Sequence, residues 1–151
     1  MKYISHRGNY SGSIPERENK PSYIDTALSM GFDVEIDIRY LKGNYYLGHD
    51  FPETIVTENW IITRKNNLWI HCKNIEAAVQ LSKIGQKINY FCHSSDDFVI
   101  ISNEYIWVHN LSCELNKKCI IPLLNEDSIK SYRNYDNVYA ICTDFLNLTK
   151  I

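Results

Sequence analysis

Seven short apolar runs are spaced along the whole chain, at residues 3–5, 34–38, 68–70, 88–92, 105–108, 119–123 and 138–142. They read as strands, and between several of them the spacing turns helical. Tyr23, Ala27 and Met30, with Ile24 and Leu28 beside them, form a stripe just after Pro21-Ser22, which predicts a helix over 23–30. Ile75, Ala78, Val79 and the 81–84 turn repeat the pattern and predict a helix over 75–84. Ser94-Ser95-Asp96-Asp97 predicts the cap of a short helix through Ser102, and Asn125 the cap of one over 126–132. Strands alternating with helices imply βα units around a parallel sheet. Residues 44–47 differ: they follow Lys42-Gly43 closely and are expected to fold back on 34–39 as a hairpin.

Length and composition set the frame. At 151 residues the chain is expected to form one domain over 1–151, with 44% hydrophobic and 23% charged residues as in ordinary globular proteins. A net charge of −2 offers no basic surface for nucleic acid, so no nucleic-acid partner is expected. No run of 18 apolar residues occurs, and Met1-Lys2-Tyr3-Ile4-Ser5-His6 lacks the apolar region of a signal peptide. A cytoplasmic location is expected. The five cysteines contain no C-x-x-C pair, and Cys72, Cys92, Cys119 and Cys142 lie in or beside apolar runs. They are expected as buried thiols in a reducing compartment.

The chemistry concentrates on 33–39. Val34, Ile36 and Ile38 fall on one strand face, Asp33, Glu35, Asp37 and Arg39 on the other. Glu35 and Asp37 would point together into the mouth of a barrel. Two adjacent carboxylates repel unless a cation lies between them, and oxygen ligands suit Mg²⁺, Ca²⁺ or Mn²⁺. A solvated strand face or a salt bridge to Arg39 is the competing reading. All five histidines follow one pattern: His6, His49, His71, His93 and His109 each lie at or just past the C-terminal end of an apolar run. In a parallel α/β barrel those ends form one rim, where active sites are built.

The stretches "HRG" at 6–8, "EN" at 18–19, "GFDVEIDI" at 31–38 and "HD" at 49–50 resemble the motifs of glycerophosphodiester phosphodiesterases. "YAICTDF" at 139–145 resembles the final strand of that family and its T-D pair. The interval from Glu35 to His49 is one residue shorter than the family's, with the loss at the Leu41-Lys42-Gly43 turn. The resemblance implies a TIM barrel with His6 and His49 as an acid–base pair. Arg7 and Lys73 would be phosphate ligands, Glu35 and Asp37 would hold Mg²⁺ or Ca²⁺, and the substrate would be a small phosphodiester. Glu18 and Asp50 are expected in support, with a helix-start role open for Glu18. Imidazole titrates near neutral pH and the arginine fork matches phosphate, so these residue types suit the chemistry on physical grounds as well.

The third strand breaks the pattern. Where the family carries an acid two places before a lysine, this chain has His71-Cys72-Lys73. Strand parity still turns His71 toward the site, and a neutral imidazole favours Mn²⁺ or Zn²⁺. Asp50 or Asp144 could replace the missing acid, and a phosphate or head-group binding module without turnover is the alternative function. Length is the second departure, since a full TIM barrel takes about 200 residues or more. A reduced (β/α) barrel with shortened or missing helices is therefore expected. Its uncovered apolar surface predicts a homo-oligomer or partner contact.

Overall fold

The computed structural model describes residues 1–131 and 136–149. Its strands are β1 (Lys2–His6), β2 (Asp33–Leu41), β3 (Asn44–Leu47), β4 (Thr54–Val56), β5 (Leu68–Cys72), β6 (Asn89–Phe91), β7 (Phe98–Ile100), β8 (Ile106–Val108), β9 (Cys119–Pro122) and β10 (Ala140–Thr143). Its helices are α1 (Pro21–Ser29), α2 (Glu58–Arg64), α3 (Ile75–Lys83) and α4 (Glu126–Ser131), with a 3-10 turn at Leu146–Leu148. β6, β5, β2, β1, β10, β9 and β8 run parallel in that spatial order, each matching one of the seven apolar runs. β3 returns antiparallel along β2, as the Lys42-Gly43 turn predicts, and β4 adds to β3.

The sheet curls because its inner face closes on itself. Ile4, Trp69, Phe91, Trp107, Ile120, Ala140 and Cys142 form one buried cluster drawn from strands at both ends of the parallel order. Phe91 of β6 stacks on Trp107 of β8 at 4.8 Å although their strands share no ladder. Ser102, in the turn between β7 and β8, bridges the seam instead. Ser102 donates its N–H to the Tyr90 carbonyl at 3.0 Å and its hydroxyl to the Ile88 carbonyl at 2.6 Å.

The outer face is covered unevenly. Val34, Ile36 and Ile38 of β2 pack against Ile24 and Ala27 of α1, Ile61 of α2, and Ala77 and Leu81 of α3. Each fully buried valine, leucine or isoleucine among them contributes roughly 1.5–3 kcal/mol. Over β8, β9 and β10 the cover is one short helix, through Ile129, together with loop residues such as Leu111 and Leu115. This is the reduced barrel, with helices shortened or absent on one side.

Two segments differ from expectation. The helix predicted from Ser94 through Ser102 is absent; residues 98–100 form β7, antiparallel to β8. The Asp97 carbonyl accepts the N–H groups of His109 and Asn110, which closes a hairpin. A three-residue apolar run gains more from pairing with β8 than from a helix too short to nucleate. Helix α2 is unforeseen by the apolar spacing, yet its local signals are present: Thr57 caps Trp60 N–H, Glu58 opens the first turn and Arg64 closes the last. The helix expected over 126–132 is α4 under its Asn125 cap, which accepts from Ser128 N–H at 2.8 Å; Tyr132 lies outside the described residues. Among the cysteines, Cys72, Cys119 and Cys142 are buried but Cys92 is exposed, because β6 ends one residue before it. No helix among the described residues is long and apolar enough to cross a membrane.

Candidate active site

The acidic face of β2 is not wet. Glu35 is 3% exposed and Asp37 0%. Register brings histidines to both: His6 of β1 lies opposite Glu35, and His71 of β5 lies opposite Asp37. Asp37 Oδ1 is 3.1 Å from His71 Nδ1 and 3.8 Å from Lys73 Nζ, and its Oδ2 is 2.9 Å from Arg7 Nε. Asn19 holds Asp37 from a further side, donating Nδ2–H to Oδ2 at 3.0 Å and accepting the Asp37 N–H at 2.9 Å. Arg39 makes no salt bridge to these acids; it donates to the carbonyls of Gly48, His49 and Asp50. Asp33, at the opposite end of the strand, is bound by Lys2, Asn67 and Trp69.

Glu35, Asp37 and His71 can each offer one ligand atom, with all three atoms within 4.8 Å of one another. Two observations test whether a cation fits. Glu35 Oε2 is buried without a hydrogen-bond partner among the described residues, a costly state for a carboxylate oxygen unless a positive ion meets it, and Asp37 Oδ1 faces the nitrogens of His71 and Lys73 at 3.1 and 3.8 Å. His71 Nε2 lies 3.2 Å from the His93 carbonyl, which can only accept. Nε2 therefore carries hydrogen, and Nδ1, the nitrogen facing Asp37, is the one a neutral imidazole would offer as a ligand. The three residues fit a divalent ion. Asp50 and Asp144 do not replace the missing acid: Asp50 is 74% exposed beside His49, and Asp144 is taken by His6.

Burial, and behind it the charge of Asp37, pushes Glu35 up to about 7. Burial would raise Asp37 too, but His71 and Arg7 outweigh it and hold that carboxyl well below its usual range. A cation entering below pH 7 must therefore displace a proton from Glu35. Mn²⁺ affinity is expected to fall roughly tenfold per pH unit below 7 and to change little above it. Calorimetry at pH 6, 7 and 8 measures this, and pH-independent binding would place the ion elsewhere.

A second network runs from His6 to Arg7. His6 Nδ1 donates to Asp144 Oδ1 at 2.8 Å, which leaves Nε2 facing Glu35 Oε2 at 3.8 Å. Burial pulls the imidazole pKa down, but the Asp144 hydrogen bond and the charge of Glu35 leave it above the ordinary histidine value. Asn9 donates to Asp144 at 2.7 Å and to Glu18 Oε1 at 2.9 Å, and Glu18 Oε2 accepts from Arg7 Nη1 at 3.1 Å. Glu18 sits in the turns before α1, whose start at Lys20 has no side-chain cap, so it meets Arg7 and leaves the helix start alone. Arg7 holds a left-handed φ of 55°, a strained conformation for a side-chain-bearing residue. Gly8 follows at φ 94°, where a Cβ would come within 2.8 Å of the Tyr23 ring.

These groups open on one cavity of about 220 Å³, lined by all five histidines together with Arg7, Glu35 and Lys73. His93 and His109 stack on each other at 3.9 Å along its wall. The His49 imidazole pairs with Asp50, Nδ1 to Oδ1 at 2.7 Å, and Asp50 itself is not part of the lining. Asn9 and the orienting contact of Asp144 escaped the sequence reading. Their signals are the residue that follows "HRG" and the acid of the final T-D pair.

No family model matches the sequence, and no curated protein matches it. Among solved structures, the fold is similar to the crystal structure of a glycerophosphodiester phosphodiesterase from Agrobacterium tumefaciens, with a TM-score of 0.59, 97% of each chain covered and 15% identity. The chain thus has the fold of a glycerophosphodiester phosphodiesterase barrel, reduced in its helices.

Proposed function

We propose that this chain is a metal-dependent phosphodiester hydrolase acting on a glycerophosphodiester-like substrate. One observation carries the reading: Glu35 and His71 line the same cavity as His6 and Arg7, and buried Asp37 stands close enough behind them for all three to offer a ligand atom to one cation. A divalent ion bound there would neutralise phosphate charge and polarise the bond under attack. The imidazole ligand favours Mn²⁺ or Zn²⁺ over Mg²⁺ and Ca²⁺. Arg7, fixed by Glu18 and Asp37, presents its remaining donors to the phosphate, and Lys73 adds a second positive charge. His6 exchanges protons at Nε2 while Asp144 keeps the other nitrogen protonated, and His49 completes the acid–base pair from the facing loop. The fold likeness to a glycerophosphodiester phosphodiesterase supports the substrate class.

Hydrolysis of glycerophosphocholine and bis(p-nitrophenyl) phosphate, assayed with each of the four metals, tests the proposal. Turnover is expected, fastest with Mn²⁺ or Zn²⁺; none with any metal, beside an active control enzyme, removes it for these substrates. His71 in the third ligand position favours one other reading, a phosphate or head-group binding module without turnover. His71→Glu separates the two. A shift of existing activity toward Mg²⁺ supports the enzyme, and activity created from none identifies the natural chain as a binder.

A further inference from the structure

β2 carries a basic side chain in step with Asp33, Glu35 and Asp37. Arg39, two residues beyond Asp37, turns its guanidinium onto the chain that follows β3. Nη1 donates to the Gly48 carbonyl, and Nη2 donates to the carbonyls of His49 at 2.7 Å and Asp50 at 3.2 Å. Three consecutive carbonyls thus converge on one cation, a geometry that suits the planar fork of arginine and not a lysine point charge. The same loop is tied at its base. Gly48 N–H donates to the Asp37 carbonyl at 3.2 Å, and Glu53 N–H donates to the Leu47 carbonyl at 2.9 Å. The loop doubles back so closely that a Cβ on Gly48, at φ 137°, would fall 2.2 Å from the Phe51 carbonyl oxygen.

His49 depends on this backbone for its place. Among the described residues its imidazole bonds only to Asp50, whose side chain is largely in solvent. Packing covers it only in part, for the His49 side chain is more than a third exposed. We propose that Arg39 is the positioning residue for His49. Because Glu35, Asp37 and Arg39 stand on one strand, β2 sets the separation between the candidate cation ligands and the facing histidine. A site held to a fraction of an ångström needs such a support, and Arg39 adds it to the two backbone hydrogen bonds at the loop's base.

The inference rests on the reading of His49 as half of an acid–base pair, so its test has one arm that needs no activity. Arg39→Ala is expected to lower kcat about 10- to 100-fold, leaving KM and Mn²⁺ affinity within about twofold, and Arg39→Lys to recover part of the loss. In a His49→Ala background, Arg39→Ala is expected to cost less than about twofold, since its effect runs through the absent imidazole. Equal losses in both backgrounds would mean a merely structural role and overturn the proposal. The second arm is amide hydrogen exchange followed by mass spectrometry. Arg39→Ala is expected to speed exchange at residues 48–53 by about tenfold with α1 and α3 unchanged. Unchanged exchange at 48–53, or acceleration throughout the chain, overturns the pinning whether or not the protein hydrolyses diesters. Should Arg39→Ala fail to fold, Arg39→Lys carries the same comparisons.

Discussion

Asp37→Ala is expected to lose about 3–5 kcal/mol of stability together with all cation binding. The residue is fully buried, and three cationic or ionisable side chains (Arg7, His71 and Lys73) meet its two oxygens. Removing one member of such a buried set leaves the others uncompensated, and that accounts for the size of the loss. At roughly 2–4 °C per kcal/mol for a chain of this length, the melting temperature is expected to drop by about 6–20 °C. Asp37→Asn divides the two roles. It keeps the volume and the Asn19 contact, so it should melt nearer to wild type, yet it removes the charged ligand and should abolish Mn²⁺ binding. The sign with pH follows from the depressed carboxyl. Its stabilisation is present above the unfolded aspartate pKa of about 3.9 and is lost as pH falls through the lower folded value. The gap between wild type and Asp37→Asn should therefore narrow below about pH 4 in thermal melts. Wild-type Mn²⁺ affinity in the asparagine variant would sink the cradle.

His6→Ala is expected to lower kcat by about 10²–10⁴-fold while Mn²⁺ affinity stays near wild type. Its Nε2 is the nitrogen left free in the cavity, and it is not one of the three candidate cation ligands. Asp144→Asn should reproduce part of the loss, because an amide can offer hydrogen to Nδ1 and reverse the imidazole. Steady-state kinetics beside calorimetry resolves the two quantities. A His6→Ala enzyme with wild-type kcat would move the proton chemistry elsewhere.

Much of this arrangement is readable from residue spacing. Parity along β2 puts Glu35 and Asp37 on one face, and the seven apolar runs supply the seven parallel strands. His6, His71, His93 and His109 converge on one cavity because their parallel strands end on one rim, and His49 reaches it from the end of antiparallel β3. What spacing does not encode is the partner across the barrel. Asp144 and His6 are 138 residues apart, and Asn9 gains its meaning only when Glu18 and Asp144 flank it. The burial of the acid face is also a tertiary property: alternation alone describes a wet strand equally well. At residues 94–102 local capping signals favour a helix, and the chance to pair with β8 overrides them.

The strand order has a consequence for how the molecule assembles. β1 sits between β2 and β10, so the N-terminal strand waits for the C-terminal one. Asp37 and His71 come from strands adjacent in the chain's early half, and their pairing closes a loop of about 34 residues. Closing the 138-residue span between His6 and Asp144 costs about 1 kcal/mol more chain entropy. During synthesis the cation cradle can therefore form while the chain is still being extended, but the imidazole opposite it acquires its orienting partner only after β10 has emerged. The contact that orients His6 thus forms later than the one that joins Asp37 to His71.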